Sequence, residues 1–214
     1  MTLQQLGPTC GFYAMANGWR YIHQDESNRA GVDERIGAWL KTYQEQEKTL
    51  VGELFGDDVC EQLLRDVLGA THVIDKVSID ALFDPKWHRA FEMKKQFALL
   101  SVATTWNPAH TVSHWLVLVR EPSGGWYVLD SNDGKKKRTW PFWMKRRHYR
   151  QRDTTFDWRK YERFPKRPRS EAHRTIERAV RNGVAQLPKH LTDHSPLVFH
   201  EVGDAFLVQK MVHY

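Results

Sequence analysis

The sequence predicts an α+β fold in which an N-terminal helix packs against an antiparallel sheet. Two observations carry this. Residues 10–22, CGFYAMANGWRYI, place Phe12, Met15, Ala16, Trp19 and Ile22 at helical spacing on one face. From Phe97 onward the pattern changes to short β-type runs, FALLSVAT, WLVLVR and WYVLD, bounded by turn-forming residues.

In chain order, Gly7-Pro8-Thr9 leads into the first helix and leaves Cys10 at its N-terminus. The charged stretch over 23–48 holds a polar helix around Glu34 to Tyr43. Residues 57–68, DDVCEQLLRDVL, form a further helix, with acidic residues in the first turn where the helix dipole favours them and Gly69 just past the end. Cys60 on that helix reads as an ordinary buried thiol. The runs WLVLVR and WYVLD are joined by Glu121-Pro122-Ser123-Gly124-Gly125, a composition that turns the chain back into an antiparallel hairpin. A helix over 170–186 and a last β-type run, AFLVQKM, close the chain, and no segment repeats another.

A length of 214 residues fits one domain, 1–214, with a substantial core. With 41% hydrophobic and 27% charged residues, the composition is that of a folded globular protein rather than a disordered one. No apolar run is long enough to cross a bilayer. The residues before Cys10 lack the basic start and apolar core of a Sec signal, so the expected location is cytoplasmic, or outside the cell by a route without that signal. Two cysteines in dissimilar surroundings suggest no disulfide framework and fit a reducing compartment.

The net charge of +6 and pI of about 9.3 are at first sight those of a nucleic-acid binder, but the cations are not spread evenly. They concentrate in a basic aromatic segment, 135–169. There KKKR, KRRHYRQR and KRPR alternate with Trp140, Phe142, Trp143, Tyr149, Phe156, Trp158 and Tyr161. Such a segment suits an acidic protein surface, an anionic membrane or nucleic acid. It contains no recognisable nucleic-acid module, which makes nucleic acid the less favoured partner.

Chemistry is suggested first by Cys10. A thiol becomes a good nucleophile when held as thiolate, and a helix N-terminus and a nearby imidazolium both favour that form. Gly7 and Gly11 beside it would let the backbone approach a substrate carbonyl, and the Cys10 amide can point at a developing oxyanion. Gln4 and Gln5 are candidates for a second oxyanion donor. His114 opens a strand in which Leu116 and Leu118 share its face, while Trp115, Val117 and Val119 share the other. With the hairpin turn at 122–124, the residue opposite His114 falls between 130 and 133, so Asp130, Asn132 and Asp133 can each accept from the imidazole, and Asp130 is preferred. The 11 histidines are scattered and form no His-Glu-x-x-His, and no Cys-x-x-Cys pair is present, so a metal is not expected. Neither a phosphate loop nor a dinucleotide fingerprint is present, and a thiol nucleophile needs no cofactor.

Gln4-Gln5-Leu6-Gly7-Pro8-Thr9-Cys10-Gly11, followed by Ser113-His114-Trp115-Leu116-Val117-Leu118 and Val128-Leu129-Asp130, resembles the papain-like cysteine protease superfamily, especially its bacteriocin-processing-peptidase-like and actin-maturation-protease-like branches. The resemblance covers 4–22 and 97–133. It implies a papain-like fold, a Cys10-His114-Asp130 triad, and Gln4 or Gln5 in the oxyanion hole: a six-residue offset to the cysteine favours Gln4, and the compact Gln-x-Gly-Pro-x-Cys-Gly form favours Gln5. The wide 23–96 segment and the basic segment after 134 have no counterpart in it. The expected activity is that of a cysteine protease cutting an amide or peptide bond in a protein or peptide substrate. A glutamine deamidase or acyltransferase using the same triad is the first alternative, and a non-catalytic nucleic-acid-binding protein the second. Size, charge and resemblance together fit a bacterial effector or toxin.

Overall fold

The computed structural model describes residues 2–5, 9–26, 28–46, 52, 54, 56–103, 113–148, 153–156, 197–200 and 204–211. The elements are α1 (Cys10–His23), α2 (Arg29–Glu45), α3 (Gly56–Leu68), β1 (His72–Ser78), α4 (Ile79–Leu82), α5 (Pro85–Glu92), β2 (Gln96–Ala103), β3 (Ser113–Arg120), β4 (Trp126–Asp130), β5 (Lys135–Thr139), α6 (Pro141–His148), β6 (Asp153–Phe156), β7 (Leu197–His200) and β8 (Asp204–Lys210). The helix expected over 170–186, the rest of the basic segment and the Gly7-Pro8 entry lie outside the described residues.

The fold is α+β. Six strands form one antiparallel sheet in the order β1-β8-β2-β3-β4-β5, and β6 pairs with β7 as a separate two-stranded ribbon. The last strand, β8, is therefore interior, pairing β1 through Phe206 with Lys76 and β2 through Phe206 with Leu99. Its core AFLV is buried on both faces. Such two-sided burial requires apolar residues at consecutive rather than alternate positions.

Both sheet faces are covered, one more layer than the sequence pattern predicts. On one face Phe97, Leu99, Trp115, Val117, Val119, Phe206 and Val208 join a core with α1, α2 and α3; on the other, Leu100, Leu116, Leu118, Val128 and Leu207 pack with residues of α4, α5 and α6. The two faces read for β3 are thus the two observed. The hairpin also forms as predicted: Gly124 N–H donates to the Glu121 carbonyl at 2.8 Å, Glu121 N–H to the Gly125 carbonyl at 2.9 Å, and Gly124 takes φ +82°, which favours glycine.

Helix α1 packs on β3 and β2 and is buried over Gly11–Gly18, Arg20 and Ile22. Helix α2 joins it through Val32, Ile36, Leu40 and Tyr43, so a stretch read as polar carries a narrow apolar stripe. At its C-terminal end, α1 is tied to β1 by His23 Nε2 and His72 Nε2, 3.0 Å apart. The KKKR run, read as part of a docking segment, forms the edge strand β5, whose first four residues are exposed. Lysine at a sheet edge opposes pairing with another chain, which gives these cations a structural use.

Close packing of α1 on β2 rests on Gly18, where a Cβ would sit 2.5 Å from two carbons of the fully buried Phe97 ring. A rigid aromatic ring cannot yield as a flexible chain end does. Gly18→Ala is expected to cost about 1–3 kcal/mol through overpacking, measured by urea denaturation, with part of the loss restored by Phe97→Leu.

Candidate functional site

Cys10 is the first residue of α1 and is half-buried. Thr9 precedes it as the N-cap, with φ −99° and no side-chain cap bond, while its carbonyl accepts from Tyr13 N–H at 3.1 Å. Gly11 has a packing reason to lack a side chain: a Cβ there would run into the Leu54 side chain and lie 3.3 Å from Trp115. Gly52, at φ +108°, lies against Thr9 in the same way. Residues of the wide 23–96 segment therefore border the start of α1.

His114 is the second residue of β3 and is 7% exposed. Pairing of β3 with β4 runs to Val117 opposite Leu129, and continuing that register brings His114 opposite 132, inside the predicted window. Asp130 lies diagonally across and receives the imidazole: His114 Nε2–H donates to Asp130 Oδ1 at 2.8 Å. The Cys10 thiol is the second group that acts on the imidazole. Burial alone would lower the His114 pKa. The hydrogen bonds to Asp130 and Cys10, with their charges, outweigh it and lift the value to about 9.

Asp130 is held from three sides. Besides the imidazole, Asn132 N–H donates to its Oδ1 at 3.0 Å, and Lys137 Nζ lies 3.6 Å from its Oδ2. Burial pushes its pKa up, but the bonds from His114 and Asn132 and the nearby cations win, and it falls to about 2. The two other acceptors weighed from sequence do different work. Asn132 is exposed and supplies its backbone, while Asp133 pairs with Lys137 at 2.5 Å.

The two glutamines separate clearly. Gln5 N–H donates to the Ser131 carbonyl at 2.7 Å, and the buried Ser131 hydroxyl donates to Gln5 Oε1 at 2.9 Å. This double tether fixes which end of the amide is the donor. Gln4 is exposed, and its Nε2 donates to the Asn132 carbonyl at 3.1 Å, on the turn that follows Asp130. Both residues are set in place by Asn17 of α1, which accepts from Leu3 N–H at 2.7 Å and donates to the Leu3 carbonyl at 3.1 Å. Arg29 adds a bond to the Gln4 carbonyl at 2.8 Å.

Sequence reasoning missed Ser131, Asn17 and the contact of Lys137 with Asp130. Only adjacency to Asp130 hinted at Ser131, and nothing local marks Asn17. Trp115 is a core residue that donates to the Leu54 carbonyl at 3.2 Å. Cys60 is fully buried, and Cys10 and Cys60 are not joined in a disulfide. Among the described residues no group of three or more His, Cys, Asp or Glu side chains is placed to hold a metal, and no helix is long and apolar enough to cross a membrane.

No family model matches the chain, and comparison with curated proteins gives no match.

The His114–Asp130 pair makes a signed prediction. A histidine raised from 6.5 to about 9 adds stability that is complete below pH 6.5 and lost as pH rises through 9. An aspartate lowered from 3.8 to about 2 adds stability that is present above pH 3.8 and lost as pH falls through 2. The stability difference between the parent and Asp130→Asn is therefore expected to be largest between pH 3.8 and 6.5 and to shrink on both sides. Urea denaturation across pH measures it, and NMR titration of His114 should show its pKa falling in the variant.

Proposed function

We propose that the protein is a papain-like cysteine hydrolase that cleaves an amide bond, with a peptide bond in a protein as the first substrate class. The hydrogen-bonded series Cys10, His114, Asp130 at the N-terminus of α1 supports this reading. A thiol, an imidazole and a carboxylate in that order are the parts that nucleophilic acyl transfer requires.

In the proposed reaction the proton shared by Cys10 and His114 rests on the imidazole, whose raised pKa favours its charged form, and Sγ attacks the substrate carbonyl carbon. The C=O π electrons move onto oxygen, and the negative charge is held by the Cys10 amide and the Gln5 side-chain amide. Gln5 rather than Gln4 takes this role because Ser131 tethers it at two points, whereas Gln4 is exposed and donates to a backbone carbonyl. The imidazolium then gives its proton to the leaving nitrogen as the C–N bond breaks, and a thioester remains on Cys10. His114 next removes a proton from water, and the resulting hydroxide displaces the thiolate to release the acid. Asp130 stays ionised throughout, holding the ring and stabilising its charged form.

Alkylation by iodoacetamide, read separately on the two cysteines by mass spectrometry, is the first test. Cys10 should react at neutral pH while the buried Cys60 stays protected, and His114→Ala should slow Cys10 by about ten-fold or more. A Cys10 that reacts at the same rate with and without His114 would sink the proposal.

Once a substrate is found, the glutamines can be told apart. Gln5→Ala is expected to lower kcat by about 10²–10³, the usual cost of one oxyanion donor. Gln4→Ala should leave kcat within about two-fold, because it gives up only an exposed hydrogen bond.

A further inference from the structure

One surface is used neither by the core nor by the site. Among the described residues five large hydrophobic side chains are exposed, and three of them, Trp140, Phe142 and Trp143, fall within four positions at the junction of β5 and α6. Their exposures are 57%, 66% and 46%. Helix α6 is anchored by Met144, which is 1% exposed and packs in the core beneath the sheet's second face. Lys145 pins the same helix to Asp80 at 2.6 Å. The aromatic rings are thus presented outward from a seated element.

The sequence on either side of them carries charge of one sign. Residues 135–152 contain nine Lys or Arg and no Asp or Glu. Within β5, Lys136 pairs with Glu121 and Lys137 with Asp133 and Asp130, so those two cations serve the fold and the site. Lys135 and Arg138 are exposed, and the Arg138 guanidinium lies 5.0 Å from the centre of the Trp140 ring. Edge protection by lysine explains cations on β5, but it does not explain three exposed aromatic rings beside them.

We propose that the exposed aromatic cluster of Trp140, Phe142 and Trp143, with Arg138 against the Trp140 ring, docks on the surface of an anionic lipid bilayer. Indole and phenyl rings partition to the headgroup level of a bilayer, and neighbouring Lys and Arg are drawn to anionic lipids. The geometry favours a bilayer over nucleic acid. The Phe142 and Trp143 rings meet edge to face at 70° with centres 5.5 Å apart, which makes a wedge rather than a parallel platform for stacked bases. A bilayer interface accepts such a wedge in any orientation. Docking here would bring β5, and with it the β4 strand that carries Asp130, close to the membrane. The inference does not depend on the reading of Cys10.

The test is co-sedimentation of the full chain with vesicles of pure phosphatidylcholine and with vesicles in which about a third of the lipid is phosphatidylserine. Binding is expected only to the anionic vesicles, falling as salt is raised. The triple variant Trp140→Ala, Phe142→Ala, Trp143→Ala should bind about ten-fold more weakly or worse. Arg138→Glu should weaken binding as well, and it carries the test if circular dichroism shows that the triple variant is unfolded. Equal binding to both vesicle types, or unchanged binding in the folded variants, overturns the proposal. So does tighter binding to a single-stranded oligonucleotide that the same variants abolish, since the face would then belong to nucleic acid.

Discussion

Helix α1 is enclosed by the sheet on one side and α2 on another, and the polar groups trapped by that burial decide where the N-terminal residues lie. Asn17 is the most consequential. At 3% exposure its amide has little access to water, and leaving it unpaired would cost about 1–3 kcal/mol. It is satisfied by both the N–H and the carbonyl of Leu3, a two-point bond that holds residues 2–5 against the helix. Tyr13 meets the same constraint by donating to Asp33 at 2.6 Å; Arg29 completes this network, bonding Asp33 at 3.3 Å and the Gln4 carbonyl at 2.8 Å. Once residues 3–5 are fixed, Gln5 falls beside Ser131, and Ser131 directly follows Asp130. The thiol, the imidazole, the carboxylate and the amide are thus assembled by satisfying buried polar groups as much as by burying apolar ones.

The sheet contributes the other half of the geometry. Asp130 and His114 sit at the hairpin ends away from the 121–125 turn, so the register fixed at that turn is carried along β3 and β4 to the site. A slip of one residue would put the carboxylate on the opposite face from the imidazole. Leu116 and Leu118 are buried beneath one face and Trp115, Val117 and Val119 beneath the other, so burial alone does not select the register, and the turn at 121–125 does.

How much of this was legible in the sequence follows from the range of the interactions. Helix α1, helix α3, the hairpin and the pairing of His114 with Asp130 are local or nearly so, and periodicity or turn chemistry reports them. The interior position of β8 is not local. AFLV announces a strand, but an apolar stretch of that length does not say which partners it will take, and pairing with β1 and β2 closes contacts across more than half the chain. Strand β1 was missed because HVIDKVS does not alternate cleanly: Asp75 and Lys76 are adjacent and Val73 is exposed. Strand β5 was missed for the same reason in stronger form, since KKKR shows no apolar period at all and becomes a strand through pairing with β4. At the site, Cys10, His114 and Asp130 were readable because few residue types combine a thiol, an imidazole and a carboxylate at such positions. Ser131, Asn17 and Lys137 act by holding others in place, and residues of that kind carry no pattern of their own.

The basic segment shows why a charge sum is a poor guide to partners. Its first cations are spent in three different ways: Lys136 neutralises Glu121 beside the aromatic ring of Tyr21, Lys137 bridges Asp130 and Asp133, and Arg138 covers Trp140. The Lys137 contact is tied to the site, because a cation 3.6 Å from Asp130 helps keep that carboxylate ionised. It also opposes the charged form of the imidazole behind it, though from farther away and through the intervening carboxylate. The nearer interaction dominates, and Lys137 on balance favours an ionised Asp130 that can accept from His114. Side chains one position apart on β5 thus differ in use by geometry alone. Lys137 contacts Asp130, Lys136 is turned to Glu121, and Arg138 lies over the exposed Trp140 ring.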